Sequence, residues 1–233
     1  MSKPMVTAIM QPYLFSYIGY WQLIKSVDTF VILDDVHYKK KGYINRNSIL
    51  IDGKAHKITL HLKALSQNKL INEIDIGNNS VNILKSIAIV YKRAPYFQDI
   101  FPLIKSILEF SEKNLAKFIG NSLEEISNYL ELNTKFIYSS AIEKDNSLRG
   151  QDKIINICEI LNAKVYINLI GGQALYSKAK FKEYDIKLHF IENEIVEYRQ
   201  FQNEFVPYLS IIDIMMFNSK DEVREMLNRY RLI

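Results

Sequence analysis

The feature that most constrains the fold is a pair of β-prone apolar runs, residues 5–10 and 29–33, separated by a helical pattern. Pro12 ends the first run because proline lacks a backbone donor. Ser16 is expected to cap a helix that continues to about Val27. Strand, helix and strand within about thirty residues form a βαβ unit. The sequence therefore predicts an α/β fold with a Rossmann-like, mostly parallel sheet.

The rest of the chain alternates in a way that fits this fold. Asp52 and Gly53, between two β-prone runs, predict a β-hairpin. Apolar residues at three- and four-residue spacing then predict a helical insertion at about 80–131, with helices at 81–91, 97–110 and 115–130. Further strands are expected at 134–138, 164–167 and 186–190, with helices at 152–161 and 221–231. We interpret residues 1–233 as a single domain.

Composition narrows the class of protein. The chain has 233 residues, of which 48% are hydrophobic, enough for one large core. No apolar run reaches the roughly 20 residues that cross a bilayer, and no signal peptide is visible, so we expect a cytoplasmic protein without a membrane span. The single cysteine, Cys158, lies on the apolar side of a predicted helix, which indicates a buried, inert thiol in a reducing compartment.

The net charge of +4 would suit an anionic ligand, although lysine-, isoleucine- and asparagine-rich chains often reflect an AT-rich genome. The basic run at 39–41 has no nucleic-acid-binding motif around it, so nucleic acid is not an expected partner. Histidine spacing typical of metal sites is absent, and so are cysteine pairs, Gly-x-Gly-x-x-Gly loops and Walker-type loops. The sequence therefore does not predict a structural zinc site.

The loop at 11–20 leaves the first strand and enters a helix, whose free backbone N–H groups form a natural anion site. Gln11 could add an amide, and Gly19 could let a ligand or neighbouring strand approach closely. The alternative interpretation is that Gly19 is a packing contact and that the aromatic residues are part of the core, namely Tyr13, Phe15, Tyr17 and Trp21. Spacing alone does not decide between the two.

The loop at 34–46 follows the second strand, where open parallel sheets bind ligands. Asp34 and Asp35 could hold a divalent metal together with substrate phosphates, or one could act as a general base. His37 is the best histidine candidate for proton transfer, and Arg46 could clamp a phosphate or carboxylate. The alternative is a solvated turn, in which Asp34 caps backbone N–H groups and Arg46 pairs with an acid.

Two further residues are ambiguous. Asp213 lies in an apolar segment and needs a partner if it is buried, either in a structural contact or at the site with a perturbed pKa. Arg93 could bind an anion. The paired glycines at 171–172 indicate either a second ligand loop or a tight turn.

Several segments together resemble the WbqC-like family. They are residues 8–20, 27–36, 45–46, 94–97, 157–158 and 210–213. Ser16 departs from the family pattern, in which proline is expected before the tyrosine. The resemblance implies a bacterial-type protein of surface-polysaccharide biosynthesis, such as O-antigen of lipopolysaccharide. It also implies a glycyl or aminoacyl transferase that modifies the amine of a nucleotide-linked deoxyamino sugar.

A second, weaker likeness concerns residues 17–20, which have the placement of the His-x-Gly-His loop of nucleotidylyltransferases and pantothenate synthetase. Tyr17 and Tyr20 replace both histidines, so the chemistry of those histidines does not carry over. Tyrosines and helix N–H groups could still bind a phosphate.

We therefore interpret the chain as a transferase that moves a glycyl or similar acyl group to the amine of a sugar nucleotide. The alternatives are an ATP-dependent ligase or nucleotidylyltransferase-like enzyme, and a noncatalytic sugar-nucleotide-binding protein. No cofactor is specified, ATP or an activated acyl donor being the options, and a homodimer stays open. The candidate catalytic residues are His37, Asp34 and Asp35. The candidate substrate-binding residues are Gln11, Tyr13, Tyr17, Gly19, Tyr20, Asn45, Arg46, Arg93 and Asp213.

Overall fold

A computed structural model describes residues 4–63, 68–202 and 204–233. It confirms the βαβ unit at the start of the chain. Strand β1 (Val6–Met10), helix α1 (Ile18–Lys25) and strand β2 (Thr29–Ile32) follow one another, and the two strands pair in parallel. The predicted cap was wrong, because α1 begins one residue later than expected, with Tyr17 at the N-cap and no side-chain capping bond.

A long insertion separates β2 from the next strand of the main sheet. It opens with the predicted hairpin, β3 (Arg46–Ile51) and β4 (Lys54–Thr59), whose turn residues Asp52 and Gly53 both have positive φ. A small antiparallel pair follows, formed by β5 (Leu62–Lys63) and β6 (Asp75–Ile76). Helices α2 (Ser80–Tyr91), α3 (Phe97–Leu108) and α4 (Leu115–Tyr129) then confirm the helical insertion.

The α/β alternation resumes after the insertion. The elements are β7 (Lys135–Tyr138), α5 (Gly150–Ile160), β8 (Val165–Leu169), α6 (Lys178–Glu183), β9 (Lys187–Asn193), α7 (Ile211–Phe217), α8 (Lys220–Met226) and β10 (Tyr230–Leu232). The predicted helix at 221–231 was therefore too long. Its last residues leave the helix and pair with β9 as an antiparallel edge strand.

The six strands of the main sheet lie in the order β10-β9-β8-β1-β2-β7, and every pair except β10–β9 is parallel. The chain runs from β1 outward to β2 and β7, and then returns to place β8 on the other side of β1. Sheets of this kind bind ligands at the carboxyl ends of the strands near such a reversal. This edge of the sheet therefore carries the candidate site.

Each face of the sheet has its own hydrophobic core. Ala8 and Phe30 point into the larger core, whereas their neighbours Ile9 and Val31 point into the smaller one. The larger core packs α1, the insertion helices, α7 and α8, and the smaller one packs α5 and α6. Cys158 is buried in the smaller core as expected, and burial raises the pKa of its thiol to about 12.

Candidate functional site

A cleft of about 490 Å³ opens at the carboxyl ends of β2 and β7. We call it the basic cleft. Its polar and charged lining residues come from the loop after β2, from the segment after β7 and from the start of α5. They are Asp35, His37, Ser140, Lys144, Asn146, Arg149 and Lys153.

Asp35 lies between two buried lysines in this cleft. Its Oδ2 is 2.8 Å from Lys144 Nζ and 3.0 Å from Lys153 Nζ. The lysine side chains are only 2% and 7% exposed, and that of Asp35 is 11% exposed. Burial alone would raise the pKa of Asp35, but the hydrogen bonds from Lys144 and Lys153 outweigh it and hold that pKa below its usual value.

The charges of the basic cleft do not balance. Lys144 and Lys153 together bring two positive charges, and the carboxylate that both contact, Asp35, supplies only one negative charge. Arg149 also lines the cleft, and α5 begins beside it at Gly150. The N-terminus of a helix carries partial positive charge and free N–H groups. The cleft is thus suited to an anion such as a phosphate.

Asp34 does not line this cleft, but it binds Ser140, which does. It is 2% exposed, and its carboxylate accepts hydrogen bonds from the backbone N–H and hydroxyl of Ser140 at 2.9 and 2.6 Å. It also accepts one from Asn72 Nδ2 at 3.3 Å. These bonds join the end of β2 to the end of β7. Asp34 therefore fixes the positions of its neighbours rather than facing the open cleft.

His37 lies at the boundary of two cavities. It is exposed, and it lines both the basic cleft and an adjoining open depression of about 430 Å³. Gln11, at the end of β1, and the lysines of the predicted basic run, Lys39 and Lys40, also line the depression. Of the three predicted catalytic side chains, His37 is the one most accessible to a ligand.

Two predicted ligand residues of this loop are engaged within the fold. Asn45 is buried, accepts a hydrogen bond from the Tyr38 hydroxyl at 2.8 Å and donates one to the Leu60 carbonyl at 2.7 Å. Arg46 donates through Nε to the Gly42 carbonyl at 2.7 Å, which closes the loop on itself. Both residues set the shape of the loop.

A second pocket, of about 250 Å³, lies beside the loop that follows β1. We call it the tyrosine pocket. Its lining residues are Tyr13, Ser16, Tyr17, Tyr43, Asn47, Asn193 and Tyr208. The rings of Tyr13 and Tyr43 are 6.3 Å apart, and those of Tyr17 and Tyr208 are 6.4 Å apart. The predicted neighbours, the loops at 11–20 and 34–46, do therefore meet here.

Gly19 and Tyr20, the other predicted substrate-binding residues at the end of the 11–20 segment, support this pocket. Tyr20 is fully buried and donates from its hydroxyl to the Gln11 carbonyl at 2.8 Å. Its ring lies 5.3 Å from that of Tyr13. A Cβ on Gly19 would come within 2.6 Å of the Tyr17 ring, so this glycine lets the ring fold back over the start of α1.

Arg93 and Asp213 line none of these three cavities. Arg93 lines a fourth, open depression of about 750 Å³ at the end of α2. Asp213 is completely buried and accepts hydrogen bonds from the hydroxyls of Tyr91 and Tyr198 at 2.7 Å each, and from Gln200 Nε2 at 2.8 Å. Burial raises the pKa of Asp213 above its usual value, although these bonds lower it in part.

Several cleft and pocket residues were not anticipated. The sequence pattern could have indicated Lys153, because it is a lysine on the apolar stripe of α5, four residues before the buried Ile157. Lys144 lies in an irregular polar segment, and no sequence pattern indicates that it is buried at a site. Tyr43 and Tyr208 are exposed aromatics in loops, which sequence alone does not join to the N-terminal motif.

Within the described part of the chain, no cluster of three or more His, Cys, Asp or Glu residues could hold a metal ion. No helix in the same ranges is long and apolar enough to cross a membrane.

Comparisons with known proteins support the resemblance. The chain is 26% identical over 229 residues to the uncharacterized protein Rv1507c of Mycobacterium tuberculosis (strain ATCC 25618 / H37Rv), across 96% of this chain and 98% of that protein. No solved structure matches the chain. The model of the WbqC-like protein family matches residues 11–225, which include the loop at 11–20, the residues of the basic cleft and Asp213. The chain belongs to the WbqC-like protein family.

Proposed function

We propose that this protein is a transferase of surface-polysaccharide biosynthesis. It moves a glycyl or similar acyl group to the amine of a nucleotide-linked deoxyamino sugar. The observation that carries the proposal is the pair of buried lysines, Lys144 and Lys153, within 3.0 Å of one carboxylate. Their unbalanced charge at the carboxyl edge of the sheet suits the diphosphate of a sugar nucleotide. The sugar, acyl group and pathway come from the family resemblance.

The chemistry requires a base at the edge of this anion site. The sugar amine forms a bond to the acyl carbon, and the bond from that carbon to its leaving group, a phosphate or a thiol, breaks. The amine proton passes to His37, which lies between the basic cleft and the depression beside Gln11. Asp35 is a poor candidate for this base, because its lysine partners lower the pKa of its carboxyl and hold it ionised.

A direct test is incubation of the protein with amino-sugar nucleotides and a panel of donors, followed by mass spectrometry. The donors are acyl thioesters, and glycine or another amino acid together with ATP. We expect one pairing to give a product heavier than the sugar nucleotide by the acyl group. If no donor acylates any amino-sugar nucleotide, the proposal is wrong.

The role of the cleft is tested by Lys153→Met. Loss of a charged hydrogen-bond donor should weaken the affinity for a nucleoside diphosphate by roughly tenfold or more. Lys164→Met is the matched control, because Lys164 is a surface lysine whose side chain is 54% exposed and paired with Asp185. Equal affinities for the two variants in calorimetry would contradict an anion site at Lys153.

The same incubations separate the two alternatives. An ATP-dependent ligase or nucleotidylyltransferase would release pyrophosphate from ATP in the presence of a carboxylate or sugar phosphate. A noncatalytic binding protein would bind the sugar nucleotide as wild type, as Asp35→Ala and as His37→Ala, and none of the three would turn over any donor. Either result would replace the transferase proposal with the corresponding alternative.

A further inference from the structure

The tyrosine pocket is an uncharged site beside the loop that follows β1. Four tyrosines, two asparagines and Ser16 line it, and none of these side chains carries a charge at neutral pH. Burial raises the pKa values of Tyr13 and Tyr17, which keeps both phenols neutral. Tyr43 and Tyr208 are 63% and 60% exposed, so large aromatic surfaces stand open to solvent here. Exposed aromatic groups around a cavity are typical of ligand sites.

Ser16 supplies an unpaired polar atom to this pocket. The residue is only 1% exposed, yet its Oγ makes no hydrogen bond within the described residues. A buried hydroxyl without a partner costs free energy, and such groups in native proteins call for an explanation. Because Ser16 lines the cavity and does not cap α1, a ligand atom in the pocket would satisfy it.

The backbone on both sides of the pocket is strained. Phe15 and Tyr208 have φ of 46° and 58°, a left-handed conformation that bulky side chains rarely adopt. The carbonyl of Phe15 is held by Asn47 Nδ2 at 2.8 Å and by Ser210 Oγ at 2.7 Å. These bonds fix the residue before Ser16, and strain of this kind concentrates at functional sites.

The aromatic faces and neutral polar groups of the lining indicate the class of ligand. The amide of Asn47 is engaged, since Nδ2 donates to Phe15 and Oδ1 accepts from the Ser48 N–H at 2.8 Å. The other polar groups of the lining are the hydroxyls of the four tyrosines, which lie at the edges of their aromatic rings, the Asn193 amide and Ser16 Oγ. A neutral planar ring needs aromatic faces and one or two hydrogen bonds at its edge.

We infer that the tyrosine pocket binds the base of a nucleotide, stacked on its tyrosines and hydrogen-bonded at one edge by Ser16 Oγ. The inference rests on the proposed function for the ligand being a nucleotide. Continuity along the edge of the sheet supports it. Tyr13 lines the pocket, Gln11 lines the depression two residues earlier, and His37 joins that depression to the basic cleft. Base and diphosphate of one ligand would thus occupy neighbouring cavities.

Nucleosides test the pocket without the cleft, because they carry no phosphate. The full chain is titrated with uridine, thymidine, cytidine, adenosine and guanosine by calorimetry, and with N-acetylglucosamine as the sugar-ring probe. We expect saturable binding of at least one nucleoside, with its ring protons shifted upfield in NMR spectra by stacking. Tyr43→Ala should weaken that binding about tenfold, and Ser16→Ala about fivefold.

The matched control is Tyr184→Ala, which removes another exposed tyrosine, 43% exposed, outside the pocket. It should leave nucleoside affinity unchanged. Binding of N-acetylglucosamine but no nucleoside, or nucleoside binding that Tyr43→Ala leaves intact, would overturn the inference. Nucleoside binding without acyl transfer would contradict the proposed function but not the inference about the tyrosine pocket. Acyl transfer without nucleoside binding would contradict only the inference that the tyrosine pocket binds a base.

Discussion

The two aspartates Asp35 and Asp213 are both largely buried, yet they are in opposite electrostatic states. Asp35 contacts two lysines, and its pKa is lowered. Asp213 contacts two tyrosine hydroxyls and an amide, all uncharged, and its pKa is raised. Burial of a carboxylate thus says little about its role until its partners are known.

This difference distinguishes the candidate site around Asp35 from the structural network around Asp213. Around Asp35 the protein has gathered more positive charge than the carboxylate neutralises, at the open carboxyl edge of the sheet. Among the described residues, the carboxylate of Asp213 accepts only from uncharged groups of the fold, among them the Tyr91 hydroxyl, which also accepts from the Leu50 N–H at 3.1 Å. The first arrangement can accept a ligand, and the second ties α7 to α2 and the hairpin.

Removing the charge of Asp35 should have the largest effect on stability. Asp35→Asn leaves Lys144 and Lys153 buried beside each other without a counter-charge, so we expect the free energy of unfolding to fall by about 3 kcal/mol. Urea denaturation measures it. Asp185→Asn, in an exposed pair with Lys164, is the control and should leave the unfolding midpoint unchanged. A loss no larger than that of the control would mean that the lysines do not depend on Asp35.

The same substitution at Asp213 should cost less. Asp213→Asn keeps one acceptor oxygen but turns an amide group toward hydroxyl and amide donors, so we expect a loss of about 1–2 kcal/mol. The removal of a buried carboxylate offsets part of the lost hydrogen bonding, because Asp213 is costly to ionise. A loss larger than that of Asp35→Asn in the same urea series would reverse the comparison.

The pH dependence of these two losses should have opposite signs. The contribution of Asp35 is present above its unfolded pKa of about 3.9 and is lost as the pH falls through its lower folded pKa. The contribution of Asp213 is fully present below about 3.9 and is lost as the pH rises through its higher folded pKa.

Relative to wild type, the deficit of Asp35→Asn in the free energy of unfolding should therefore disappear as the pH is lowered below about 4. The deficit of Asp213→Asn should shrink as the pH rises above about 4. Each change should be about 1.4 kcal/mol for each unit by which the pKa is shifted. Denaturation curves across this range measure both. Parallel pH profiles for the two variants would contradict the assignment of opposite shifts.

His37→Ala should have the smallest effect on stability and a large one on activity. His37 is exposed, so the free energy of unfolding should change by less than about 0.5 kcal/mol. As the proposed base, it should contribute roughly a hundredfold or more to the acyl-transfer rate. A variant that transfers the acyl group at the wild-type rate would remove His37 from the mechanism.

Local patterns predicted most of the fold. Alternating β-prone and helical runs indicated β1, α1 and β2, and Asp52-Gly53 indicated the hairpin turn, because these signals depend on neighbouring residues only. The errors fall where a distant contact decides. Residues 230–232 continue a helical pattern, but pairing with β9 draws them into the sheet as an edge strand.

The candidate site divides in the same way. The sequence by itself determined that Asp35 and His37 follow a parallel strand, and that the loops at 11–20 and 34–46 lie at the same edge of the sheet. Only the tertiary structure decided that Lys144 and Lys153 neutralise and exceed the charge of Asp35, from more than a hundred residues away. Charge balance and burial are sums over every neighbour in space, and a linear pattern contains only the neighbours along the chain.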